Sequence, residues 1–168
     1  AKHVPTYHVD LEIARLFYDI DDLSSSYIYF DKTFYKDSLN RDKFSEDDFV
    51  HFAASCMAVS DYRELSDVLE AIEDKNDSRS DSIKNTVKKF FQNSYDAVVY
   101  GLNRYPSNIG LIRSAFYFSE DLGNLDSAVE YGKMIFGNNE ISPNTKDYLT
   151  FAKVYAAKNE VEKANRLF

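Results

Sequence analysis

The side chains able to do chemistry are few and scattered. Three histidines, His3, His8 and His51, fall in two segments without the helical spacing that aims two imidazoles at one metal ion. Cys56 sits on an apolar stripe beside Phe52 and Ala53, the setting of a buried structural thiol and not of an activated nucleophile. Asp19, Asp21 and Asp22 are spaced loosely like a calcium loop, but the sharp-turn glycine and the terminal glutamate are missing, so a solvated helix end is expected. No glycine-rich phosphate loop, nucleophile elbow or His-Glu-x-x-His pattern occurs, and Asn76-Asp77-Ser78 is a glycosylation triplet of the kind that arises by chance. The residues therefore predict no catalytic site, no metal and no cofactor.

Any site must be positioned by helices. Gly 5 and Pro 3 stand against about 12 and 8 at average usage, so chain punctuation is scarce and long helices are favoured over a sheet with many turns. The 168 residues can bury one substantial core, roughly 70% of the unfolded surface. With 20 Lys+Arg against 28 Asp+Glu and a net charge of −8, a nucleic-acid surface is not expected. One cysteine excludes an internal disulfide. No run of about 18 apolar residues and no signal-peptide pattern occurs, which predicts a soluble segment without direct membrane insertion and leaves cytoplasm and periplasm undistinguished. Without an initiator Met, the chain is expected to be a piece of a longer protein.

Repetition organises these helices. Ala97-Val98-Val99-Tyr100-Gly101 returns as Ala128-Val129-Glu130-Tyr131-Gly132, and the same register places Ser26, Leu65, Ala97, Ala128 and Ala164 at one small or apolar position, in steps of roughly 31 to 39 residues. Each period holds two apolar bouts at helical spacing. The first bouts are Ile13, Ala14, Phe17; Phe49, Phe52, Ala53, Cys56; Ile83, Val87, Phe90; Leu111, Ala115, Phe118; and Tyr148, Phe151, Ala152, Tyr155. The second bouts include Tyr27 and Phe30, Leu65 and Leu69, Val98 and Leu102, Ala128 and Ile135, and Val161 and Phe168. Capping boxes are predicted at Ser45 to Asp48 and Asp61 to Glu64, a first helical turn at Pro143, and helix ends at Pro106 and Gly137. Turns at 20–22, 60–61, 93–94, 123–124 and 158–159 divide the pairs, with polar linkers at 36–43 and 74–81.

These residues resemble tetratricopeptide repeats, helix-turn-helix units of about 34 residues. Tyr148, Phe151-Ala152, Tyr155, Asn159, Ala164 and Phe168 match that family's pattern best, followed by Phe49, Phe52-Ala53, Cys56, Leu65 and Leu69, and by Ile13-Ala14, Phe17, Ser26 and Phe30. The fourth unit departs through an extra residue near Leu122 to Asn124 and through Gly132 where an aromatic is usual, the third through Val87 where a small residue is usual. The resemblance implies an all-α, right-handed superhelix of antiparallel hairpins over residues 1–168, with units near 7–40, 46–75, 79–107, 108–141 and 143–168. Ala14, Ala53, Ala115 and Ala152 are then close-packing points between paired helices.

In that family the first helices line a concave groove. Carried onto this chain, the groove comprises Leu11, Arg15, Tyr18, Val50, Ala54, Met57, Lys84, Lys88, Phe91, Ile112, Phe116 and Lys153. Arg15, Lys84, Lys88 and Lys153 on one wall predict an acidic peptide segment as ligand, with Tyr18, Phe91 and Phe116 as exposed anchors. The chaperone-tail clamp of the family is not reproduced by His8, Leu11, Glu12, Arg15 and Ala54, and the acidic balance disfavours an RNA-reading relative. The expectation is a non-catalytic scaffold for another protein or peptide. Its alternative is an accessory repeat domain of a larger enzyme or of a glycan-synthesis or secretion assembly. Val161, Ala164, Leu167 and Phe168 form an uncovered apolar stripe that predicts self-association through the C-terminal helix.

Overall fold

The computed structural model of the chain describes residues 6–36, 38–60, 78–160, 162–163 and 166. Helices and the turns between them account for these residues, with no strand among them, so the protein is all-α. Two units are distinguished, Ala1–Val87 and Lys88–Phe168.

In the N-terminal unit, α1 (Thr6–Asp19) and α2 (Leu23–Lys36) form a hairpin, followed by the single turn α3 (Ser38–Arg41) and by α4 (Glu46–Ser60). The turn between α1 and α2 works because Asp21 takes φ 63°, a left-handed conformation that aspartate tolerates. Asp22 then caps α2, its Oδ1 accepting the Ser25 N–H at 3.0 Å. Helix α2 packs on both α1 and α4, and α1 also meets α4. The core between them is aromatic: Phe30, Phe34, Phe44, Phe49 and Phe52 are all buried, with ring pairs such as Phe44 and Phe49 at 5.2 Å and Phe30 and Phe52 at 5.6 Å. Each such burial is worth about 1.5 to 3 kcal/mol.

The stretch expected to be a polar linker at 36–43 has a structural duty instead. Arg41 donates Nε to the Phe34 carbonyl at 3.1 Å and lays its guanidinium over the Phe34 ring, and buried Asn40 donates to the Thr33 carbonyl at 3.4 Å. These bonds satisfy carbonyls that the end of α2 leaves open.

Helix α5 (Ser78–Arg104) runs unbroken through 27 residues, which corrects the turn expected at Asn93 and Ser94. Neither residue breaks a helix; each costs only about 0.5 kcal/mol relative to alanine. Gln92 donates to Asp96 Oδ1 at 2.8 Å across the expected turn, and Ser94, Ala97, Val98, Gly101 and Leu102 share one buried face.

The C-terminal unit adds α6 (Ile109–Asp121), α7 (Leu125–Phe136) and α8 (Thr145–Ala157), where α7 packs on both α6 and α8, and α6 meets α8. Gly123, at φ 72°, makes the turn between α6 and α7. Gly137 ends α7 as expected, whereas Pro143 precedes the cap Asn144 and lies outside the first turn of α8. Gly132, where the family has an aromatic, lets the Phe151 ring approach so closely that a Cβ would sit 2.8 Å from Cε2. Ser26, Ala97 and Ala128, three of the repeating small positions, are buried, as are Ala14, Ala53 and Ala115, while Ala152 is half-buried. Leu65, the Asp61 to Glu64 box, Asn76, Asp77, Val161, Ala164, Leu167 and Phe168 lie outside the described residues.

Candidate functional site

Ser45 and Asp48 open α4 as a reciprocal capping box. The Ser45 N–H donates to Asp48 Oδ2 at 2.8 Å, and the Asp48 N–H donates to Ser45 Oγ at 3.2 Å. Arg15 reaches the same carboxylate from α1, donating Nε to Oδ1 at 2.8 Å and Nη2 to Oδ2 at 2.7 Å, a bidentate pair. The remaining guanidinium nitrogen, Nη1, donates to Glu12. Burial by itself would raise the Asp48 carboxyl, but the Arg15 and Ser45 hydrogen bonds and the Arg15 charge outweigh it and hold the group below the ordinary carboxylate range. The same bond to Asp48 pushes Arg15 upward, against its partial burial.

One turn further along, Tyr18 of α1 stacks on His51 of α4, with ring centroids 3.8 Å apart and planes within 13°. Helical spacing continues this face along α4 through Val50, Ala54 and Met57, all half-buried. An open pocket of about 300 Å³ lies at its N-terminal end, lined by Arg15, Asp19, Ser45, Asp47, Asp48 and His51. The Arg15 guanidinium is bonded by the carboxylates of Asp48 and Glu12, and those of Asp19 and Asp47 line the same pocket. Asp48 is tied up by four donors, counting the Ser45 hydroxyl at 2.9 Å, and is a structural anion, not a general base. Among the described residues no group of three acidic, histidine or cysteine side chains is arranged to hold a metal ion. No helix among them is long and apolar enough to cross a membrane.

The C-terminal unit repeats the anchoring device. Asn144 and Asp147 form the capping box of α8, and buried Asp147 accepts from Arg113 Nε at 3.1 Å and from the Tyr117 hydroxyl at 2.6 Å. Arg113 also donates to the Ser142 carbonyl at 2.7 Å. The separation between arginine and aspartate is 33 residues in the first case and 34 in the second. Burial first, then the bond to Asp147, pushes the Tyr117 hydroxyl well above its ordinary range.

No family model, no curated protein and no solved structure matches the chain.

The residues carried over from the repeat family separate into three groups. Arg15, Tyr18, Val50, Ala54 and Met57 all belong to α1 and α4, where Arg15 meets Asp48 and Tyr18 meets His51. Leu11, Ile112 and Phe116 are only 3%, 4% and 0% exposed, which corrects their placement on an open groove. For α6 the reason is plain: every residue from Leu111 to Phe118 except Arg113 is buried, so the helix has no free inner face. Phe116 packs edge-on against Phe151 at 5.7 Å as a core residue. Phe91 is half-buried with its ring 6.3 Å from Phe118. Lys84 and Lys88 are exposed on α5 and Lys153 on α8. The charge of Arg15 is engaged by Asp48 and Glu12.

Sequence reasoning missed His51 as a partner of Tyr18 and missed both arginine clamps. A signal was present: among the described residues, the two capping boxes Ser45–Asp48 and Asn144–Asp147 have an arginine 33 and 34 residues before their aspartate.

Proposed function

We infer that the chain is a non-catalytic scaffold of tetratricopeptide type, in which stacked hairpins form a right-handed superhelix and bind a peptide segment of another protein across the first helices α1 and α4. The observation that carries this reading is the half-exposed Tyr18–His51 stack, continued by Val50, Ala54 and Met57. Rigid aromatic surface bounded by aliphatic side chains is what a binding anchor needs, because little rotamer freedom is lost on docking. The Arg15–Asp48 and Arg113–Asp147 clamps support the repeat reading, since one device recurs at one repeat length. The expectation of an acidic ligand rested on Arg15, Lys84, Lys88 and Lys153 together, and of these Arg15 is engaged by Asp48 and Glu12. The carboxylates of Asp19 and Asp47 beside the stack favour instead an apolar segment carrying a lysine or arginine.

Selection of peptides from a random display library on the immobilised chain tests this reading. Tyr18→Ala and Met57→Glu are each expected to weaken the selected peptides by about tenfold or more. Unchanged binding in both variants, with loss on Ile28→Glu of α2, would move the site to the second helices.

A further inference from the structure

Helix α1 carries a second apolar face that the α1–α4 reading does not use. Val9, Ile13, Leu16 and Ile20 follow one another at helical spacing, and Val9, Leu16 and Ile20 are 49%, 62% and 71% exposed. The opposite side of the helix is buried through Leu11 and Ala14. A helix that is apolar on two sides is suited to being covered on both. The stripe spans about 17 Å, three helical turns.

Among the described residues, the charges at its exposed end are acidic. Asp19 is the last residue of α1 and Asp21 follows in the turn, both exposed, and the last turn of α1 contains no basic residue. The Leu16, Phe17 and Tyr18 carbonyls there accept the N–H groups of Ile20, Asp22 and Asp21, and two carboxylates stand at the negative end of the helix dipole, where a cation is favoured. Among the described residues, Arg15 is engaged with Asp48 and Glu12, and Lys32 with Asp10 at 3.0 Å.

We propose that this outer face of α1 docks an amphipathic helix of a partner protein whose apolar stripe is bordered by lysine or arginine. A helix is the fitting form because its side-chain ridges interlock with those of α1, whereas an extended segment laid on a helix finds no backbone partners. A second copy of this chain is a poor occupant, since it would bring further carboxylates and no free cation of α1 to Asp19 and Asp21.

The test uses two designed helical peptides of about 14 residues with the same leucine stripe, one flanked by lysine and one by glutamate, titrated into the whole chain by fluorescence anisotropy. The lysine peptide is expected to bind about tenfold or more tightly than the glutamate peptide, with an affinity that falls as salt rises. Leu16→Glu and Ile20→Glu, both at exposed sites, should abolish that binding, and Asp19→Asn with Asp21→Asn should remove most of the preference between peptides. Met57→Glu should leave it unchanged, which separates this face from the α1–α4 site. Equal binding of the two peptides, no binding of the lysine peptide, or indifference to Leu16→Glu overturns the proposal. A chain that dimerises and becomes monomeric on Leu16→Glu overturns it as well, in favour of a second copy.

Discussion

Asp48 shows how one side chain serves two neighbours. It caps α4 and fixes Arg15 on α1, so one carboxylate both starts one helix and ties it to another. Asp48→Asn keeps the shape and removes the charge, and should destabilise the protein by about 1 to 3 kcal/mol. The lower part of that range is favoured because the Arg15 side chain is 36% exposed, and water replaces part of what it loses. The pH dependence follows from the direction of the shift. A carboxyl held below its unfolded value of about 3.9 stabilises the fold above that pH, and the contribution disappears as pH falls through the folded value. Thermal denaturation should therefore show a full gap between wild type and Asp48→Asn at neutral pH and a closing gap below about pH 4. A gap that stays constant into acid would mean that the charge of Asp48 contributes nothing. Tyr131 belongs to the same scale: burial, reinforced by Tyr95, pushes its hydroxyl up to about 12, so it stays neutral across the physiological range.

At the scale of elements, α5 separates what periodicity tells from what turn composition tells. Asn93 and Ser94 favour turns, yet the buried face through Ser94, Ala97, Val98 and Gly101 continues without a phase break, and the helix follows that face. Ser94 Oγ is buried with no hydrogen-bond partner, which costs free energy that a methyl group would not. Ser94→Ala should raise stability by about 0.5 to 1 kcal/mol, through removal of that hydroxyl and through helix propensity. Ser94→Gly should lower it by a similar amount. A glycine variant as stable as the alanine one would point back to a turn. The helices themselves were legible because apolar spacing and capping residues agree at Ser45 and Gly137. The burial of α6 was hidden by the assumption that each first helix keeps a free face, although Ile109 to Phe118 is apolar on almost every side. The arginine clamps were hidden for a different reason. Their partners lie 33 and 34 residues apart, and pattern reading along a single helix does not pair residues at that distance.

For the whole molecule, a net charge of −8 sets the sign of what can approach. Cations meant to form one basic wall behave differently: Arg15 is engaged, and Lys84, Lys88 and Lys153 are exposed. The proposed binding face on α1 and α4 is apolar at its centre and acidic at its end, and the outer stripe of α1 shares that sign. The most direct measurement of the central claim is an amide chemical-shift map of the isotope-labelled chain, titrated with a peptide selected for binding. The account predicts saturable shifts centred on Tyr18, His51, Ala54 and Met57, with α2 and α7 little changed. Shifts confined to α2 and α7, with Tyr18 and His51 unmoved at saturation, would contradict it.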